Sequence, residues 1–239
     1  MKKSIISKIL WPIIYMTLIV GACISTTAIV LRNNYYENVF VDGDSMLPTL
    51  KGKVYEEDGA DFGVTDNRTI TKKKLKRFDI VTTYYPFSTE DYDYATSYKK
   101  GESKLKNTAY YKIKRLIALP GETFKIEFNE LYVKQDNNWE HIEFTFQRKF
   151  EDGEFPNYRD VKETTLKDDE YWVMGDNWTV NGSKDCANQS GDKYNGPIYF
   201  ENLIGKLIHI DGTCTLVYEN GQLKCTNKKF LPKNERKYF

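Results

Sequence analysis

Residues 9–31 form one run without a charged side chain. Read as a helix rising about 1.5 Å per residue, the run is long enough to cross the roughly 30 Å hydrocarbon core of a bilayer with some tilt. Trp11 and Tyr15 suit the interface at its first end, and Pro12 falls near the first turn, where a missing N–H costs least. Beyond Arg32 helical periodicity gives way to short β-branched and aromatic runs bounded by Gly, Asn, Asp and Pro. These runs predict strands over 36–41, 80–85, 110–118, 123–128, 130–134, 142–146, 170–174, 203–210, 214–218 and 222–226. The expected fold is mostly β: one N-terminal transmembrane helix followed by an elaborated antiparallel β domain, with a subdomain between 123 and 166. Residues 56–76 and 87–108 read as loops.

Charge orients this arrangement. Lys2, Lys3 and Lys8 precede the apolar run and Arg32 alone follows it, so the positive-inside rule puts residues 1–8 in the cytoplasm and the rest outside. The expected divisions are a cytoplasmic N-terminus at 1–8, the transmembrane helix at 9–31, an extracytoplasmic domain at 32–226 and a basic tail at 227–239 facing anionic lipid. A cleaved signal sequence is the rival reading, because Val20-Gly21-Ala22-Cys23 resembles a lipoprotein cleavage box. The apolar residues continuing through Ala28-Ile29-Val30-Leu31 favour a retained anchor.

Over the whole chain, 35 basic against 34 acidic residues give a formal net charge of +1, which excludes a basic nucleic-acid binder. A mean hydropathy of −0.61 excludes a multispan membrane protein. Cys186, Cys214 and Cys225 fit no zinc spacing, and His141 and His209 stand alone, so neither a metal nor another cofactor is expected. Glu219-Asn220-Gly221-Gln222 reads as a hairpin turn that brings Cys214 and Cys225 onto adjacent strands. A two-residue loop sets them diagonally, which leaves a disulfide open.

Chemistry is suggested first by Ser45, which sits in Val41-Asp42-Gly43-Asp44-Ser45-Met46-Leu47-Pro48, a Gly-containing turn shortly after the anchor. Such a turn can aim consecutive backbone N–H groups at one point, as an oxyanion hole requires. A serine nucleophile needs a base, and neither histidine lies among polar motif residues. Lysine remains. Lys112 and Lys114 share one face of the predicted strand with Leu116 and Ala118, and burial there lowers a lysine pKa toward neutrality.

Three blocks then come together: Gly43-Asp44-Ser45-Met46-Leu47-Pro48-Thr49, Lys114-Arg115-Leu116-Ile117-Ala118-Leu119-Pro120-Gly121-Glu122, and Met174-Gly175-Asp176-Asn177 continuing to Ser183-Lys184-Asp185. In order and spacing, and with the anchor before them, they resemble the bacterial type I signal peptidases, membrane-bound Ser-Lys endopeptidases. The resemblance runs from the helix to about Ile210. It implies Ser45 as nucleophile, Lys114 as general base in preference to Lys112, and Ser183 as the hydroxyl that orients the lysine amine. It further implies an oxyanion hole from Gly43 and Ser45, with Arg115, Asp176 and Asp185 in support. Signal-peptide-bearing preproteins cut after small residues would be the substrates, membrane lipid a second partner, and a Gram-positive bacterium the source, since Gly is frequent there at the position of Gly43.

The chain departs from the family pattern at several points. Phe78 stands where Gly is usual in Arg77-Phe78-Asp79-Ile80-Val81, and two extra residues precede Ser183. Trp178 replaces an Arg, and Cys186-Ala187 replace Ser-Arg, so Asp185 lacks its expected local cation unless Arg115 or another base compensates. Two rivals follow: a specialised peptidase for a few pilus, conjugation or surface proteins, and a non-catalytic, membrane-tethered binding domain.

Overall fold

The computed structural model of the protein describes residues 2–52, 59–68, 74–84, 111–146, 159–179, 182–190, 193–219 and 222–239. Helix α1 (Lys2–Tyr35) forms a unit of its own with Glu37 at its boundary, and Asn38–Phe239 form the second unit. Within α1, Leu10–Tyr35 is long and apolar enough to cross a membrane. The helix is wider than the charge-free run and begins at Lys2, which puts Pro12 inside it rather than in its first turn.

The second unit is antiparallel β. Its strands are β1 (Tyr36–Phe40), β2 (Ala60–Asp66), β3 (Ile80–Tyr84), β4 (Tyr111–Ala118), β5 (Thr123–Glu127), β6 (Glu130–Gln135), β7 (Asn138–Ile142), β8 (Val161–Thr165), β9 (Glu170–Met174), β10 (Gln189–Ser190), β11 (Lys193–Tyr194), β12 (Ile198–Tyr199), β13 (Leu203–Glu219), β14 (Gln222–Phe230) and β15 (Lys237–Tyr238). The large sheet runs β1-β2-β13-β3-β4-β9-β12, with β14 and β15 also on β13; a smaller sheet runs β7-β6-β5-β8. The smaller sheet is the subdomain expected between 123 and 166.

Several expectations are corrected. The loop read over 56–76 contains β2, which lies against β13 for its whole length. Its Asp61, Gly63 and Asp66 are turn-forming residue types, yet here Asp61 Oδ2 accepts the Lys51 N–H and Asp66 accepts the Arg68 N–H. A Cβ on Gly63 would strike the His209 carbonyl, so glycine permits the close approach of β13. The strands read at 203–210 and 214–218 are one, β13, because Asp211-Gly212 is absorbed in bulges of the ladder with β2 rather than a turn. The strand expected at 142–146 lies earlier, at β7. The tail at 227–239 is part of the sheet: 227–230 complete β14, β15 pairs with β13, and Arg236 bridges Asp211 at 2.9 Å. The loop at 87–108 lies outside the described residues.

One core joins the two sheets, with Leu116, Phe124, Leu131, Trp172, Met174 and Trp178 all buried. A second, built on Val39, Val41, Met46, Leu50, Ile80 and Leu207, pins the segment that follows β1 onto the large sheet. The hairpin β13–β14 is closed by Cys214–Cys225, whose Cα atoms are 5.6 Å apart. In its ladder Leu216 faces Cys225, so the cysteines are diagonal, and a register shift between Thr213 and Thr215 surrounds Cys214.

Candidate active site

Ser45 is presented by the turn between β1 and β2. Gly43, at φ +94°, lets the chain reverse with no Cβ penalty, and Leu47 N–H donates to the Asp44 carbonyl at 3.0 Å. Val41 before the half-buried Ser45 and Met46 and Leu50 after it enter the second core, which fixes the turn by burial. A Cβ on Gly52 would collide with the backbone of Gly43, so two glycines pack main chain to main chain behind the serine.

Lys114 lies on β4 opposite Val81 of β3 and is only 1% exposed. Its Nζ is 2.7 Å from Ser45 Oγ. Burial drives its pKa down from 10.5 to about 8; Asp185 and Asp176 oppose the shift, while Lys112 and Arg159 add to it. Lys112, two residues back, is only half-buried, so the structure distinguishes the two lysines that the alternation leaves together.

Adjacent residues of a strand project to opposite sides. Arg115 therefore meets different partners: Nε and Nη2 donate to the two Asp176 oxygens at 2.8 and 2.6 Å, and Nη1 donates to the Phe78 carbonyl at 2.8 Å. Thr49 Oγ1, four residues after Ser45, donates to Asp176 Oδ2 at 2.5 Å. Burial pushes the Asp176 carboxyl up from its usual range, and the Arg115 hydrogen bonds and charge pull against that. The bidentate geometry and the Thr49 hydroxyl suit the carboxylate form.

The segment after β9 ties these parts together. Asn177 N–H donates to the Ser45 carbonyl and its Nδ2 to the Asp44 carbonyl, both at 3.1 Å. A Cβ on Gly175 would collide with the Ser45 carbonyl and with Ser183 Oγ, so glycine is required where the two serine segments converge. Ser183 is 2% exposed and joins the site, but its Oγ has no hydrogen-bond partner among the described residues. The expected contact between Ser183 and the Lys114 amine is thus not made; the lysine donates to Ser45 instead.

Asp185 is fully buried and has a cation after all. Arg159 Nη2 binds its Oδ1, while Gly175 N–H and Ala187 N–H donate to the carboxylate at 3.0 and 3.1 Å. Sequence reasoning missed Arg159, because it lies 26 residues away in a polar stretch with no motif around it. It also left Thr49, Gly175 and Asn177 without roles, although each stands inside a recognised block. Cys186, in the place of the usual Ser, is fully buried; burial pushes its thiol well above the ordinary range, and its Sγ accepts the Val173 N–H at 3.3 Å.

Two further departures meet in one aromatic cluster. Phe78 packs on Phe146 and Phe144, with centroids 5.0 and 5.6 Å away, and Phe144 packs on Trp178 at 5.6 Å. Trp178 is buried and donates Nε1–H to the Gly175 carbonyl at 2.7 Å. The Arg115 guanidinium lies 4.1 Å from the Phe146 centroid, so the cation of the Arg115–Asp176 pair sits over the Phe146 ring of this cluster. The tryptophan occupies a packing position, not that of a missing charge.

The two histidines are engaged elsewhere, His141 with Glu130 and His209 with Asp211. Antiparallel β architecture with a serine hydroxyl against a buried lysine amine places the chain in the class of β-domain proteins with a paired serine and lysine. The family model described as signal peptidase, peptidase S26, matches residues 12–210, and the chain belongs to that family. It is 25% identical over 152 residues to Signal peptidase I of Bacillus amyloliquefaciens, a match covering 63% of this chain and 65% of the relative. The chain thus spans slightly under two thirds of that relative's length.

Proposed function

We propose that the protein is a membrane-bound serine endopeptidase that removes signal peptides from exported preproteins by a Ser45–Lys114 dyad. The observation that carries this reading is the 2.7 Å contact between Ser45 Oγ and the Nζ of a lysine that is 1% exposed. With a pKa near 8, Lys114 supplies a neutral amine to a fraction of molecules at neutral pH and to most of them above it. The neutral amine takes the Ser45 proton as Oγ attacks the scissile carbonyl. The resulting ammonium gives that proton to the departing amine as the C–N bond breaks. Water then enters and loses a proton to Lys114 as its oxygen attacks the acyl carbon, and the Lys114 ammonium returns that proton to Ser45 Oγ as the acyl–oxygen bond breaks, which regenerates the serine and the neutral amine.

The oxyanion is assigned to the backbone N–H of Ser45 and to the main chain at Gly43, whose φ of +94° turns the peptide at that point. Arg115, Asp176 and Thr49 hold the sheet and the serine turn in register, and Ser183 is assigned to the base in the substrate-bound state. Leu10–Tyr35 would anchor the enzyme with its N-terminus in the cytoplasm, so that the domain meets preproteins and membrane lipid on the far side. Preference for small residues before the cut would follow from shallow pockets that exclude larger side chains by clash.

The non-catalytic alternative rested on the Trp178 and Ala187 departures; the Arg159 contact, which gives Asp185 a cation, supports the catalytic reading over it. Detergent-solubilised protein incubated with a preprotein bearing an Ala-x-Ala site should release the mature chain, whereas Ser45→Ala and Lys114→Arg should not, since guanidinium stays charged. Cleavage undiminished in Lys114→Arg would overturn the dyad.

A further inference from the structure

Arg159 stands two residues before the start of β8 and is only 7% exposed. Its backbone N–H donates to Asn129 Oδ1 at 2.7 Å, fastening it to the turn between β5 and β6. Its guanidinium spans the segment after β9: Nη1 donates to the Ser183 carbonyl at 3.1 Å, and Nη2 holds Asp185 and reaches Asn188 Oδ1 at 3.4 Å. Asp185 returns its other contacts to that same segment through Gly175 and Ala187. A single buried cation thus links the smaller sheet to the chain that carries Ser183 and Gly175.

This contact has an electrostatic side. Four charged groups from three elements act electrostatically on Lys114: Asp185 and Asp176 from the segment after β9, Lys112 from its own strand, and Arg159 from the approach to β8. Asp176 is already occupied by Arg115. Asp185 is therefore the carboxylate whose neutralisation rests on Arg159, and an uncompensated buried anion beside Lys114 would favour the ammonium form, which cannot accept a proton.

We propose that Arg159 is a positioning residue for the base: by pairing with Asp185 and clamping the Ser183 carbonyl, it keeps the Lys114 amine free to deprotonate and replaces, from a distant part of the chain, the cation missing after Asp185. The proposal rests on the Ser45–Lys114 reading for its catalytic consequence, but not for its electrostatic one.

The sign follows from the charges. Replacing Arg159 by a neutral side chain removes a cation that disfavours the ammonium and bares an anion that favours it, so the Lys114 pKa must rise. Asp185→Asn removes the anion alone and must lower it. The test uses the full chain in detergent, with wild type, Arg159→Gln, Arg159→Lys, Asp185→Asn and Arg159→Gln/Asp185→Asn. Two readouts are taken: the pH dependence of kcat/KM on an Ala-x-Ala preprotein, and the NMR titration of the labelled Lys114 ε-carbon, which requires no turnover.

Arg159→Gln should move both curves upward by on the order of one pH unit, with kcat/KM roughly tenfold lower on the acid side and recovering at high pH. Arg159→Lys should shift less, Asp185→Asn should shift the other way, and the double variant should return near wild type. An equal loss of kcat/KM at every pH with an unmoved Lys114 titration would reduce Arg159 to packing and overturn the proposal. If Arg159→Gln does not fold, Asp185→Asn decides: a Lys114 titration that fails to fall overturns the proposal. Shifts in the titration without cleavage by wild type would refute the peptidase reading and leave the Arg159 assignment standing.

Discussion

Replacing Lys114 by Met should make the protein more stable while abolishing any dyad chemistry. The lysine is buried and its pKa is lowered from 10.5 to about 8, so below pH 8 it is charged both folded and unfolded, and the folded state bears the full cost of holding the charge. A shift of that size corresponds to about 3 kcal/mol. Between pH 8 and 10.5 the folded lysine is neutral while the unfolded one is still charged, so the cost fades; above 10.5 it is gone. Met fills a similar volume without a charge but forfeits the hydrogen bond to Ser45, worth about 1 kcal/mol. Near neutral pH the net gain should be about 2 kcal/mol, read as a Tm higher by roughly 4–8 °C. Thermal unfolding of both proteins in the same detergent from about pH 6 to about pH 11 measures it, and the difference should shrink as pH rises through the lysine range. A Met variant less stable at neutral pH, or a difference independent of pH, would refute the claim that burial of the ammonium is a destabilising feature retained at this site.

Phe78 has a φ of +71°, so Phe78→Ala keeps the strained backbone and loses the ring, and it should be less stable than Phe78→Gly by about 1 kcal/mol in denaturant melts. Ser183→Ala removes a buried hydroxyl that has no partner among the described residues; its melting temperature should be unchanged or higher, while kcat falls with little change in KM. An unchanged kcat would assign Ser183 to packing alone. Gly175→Ala should lower turnover by about 10²-fold, because its methyl displaces the Ser45 carbonyl and Ser183 together. Opening Cys214–Cys225 by the double serine variant should cost about 2–3 kcal/mol of stability through the freed loop, read as a lower denaturation midpoint with kcat preserved.

Much of this arrangement is legible in the chain itself. The charge-free run before Arg32, the period-two strands flanking Lys114 and the Gly-containing turn at Ser45 are local patterns, set by side-chain hydrophobicity and backbone preference within a few residues. They suffice for the long apolar helix, the β class and the order of the blocks. Local chemistry misleads where tertiary contacts override it. Asp61, Gly63 and Asp66 look like a loop because their turn propensity is visible and the partners that make them a strand are not: the Lys51 and Arg68 N–H groups and the backbone of β13. Asp211-Gly212 looks like a turn for the same reason, and becomes a bulge only because β2, β14 and β15 all pair with β13.

The site divides along the same line. Residue types and spacing nominate Ser45 and Lys114, but alternation alone treats Lys112 and Lys114 alike; depth of burial separates them, and burial belongs to the folded sheet. No local pattern shows that Asp185 is matched by Arg159, or that Phe78 and Trp178 share one aromatic cluster over Arg115. Ion pairs and ring contacts between distant segments depend on where strands cross, so a cation absent beside its carboxylate in the sequence is supplied from a distant segment once the chain has folded.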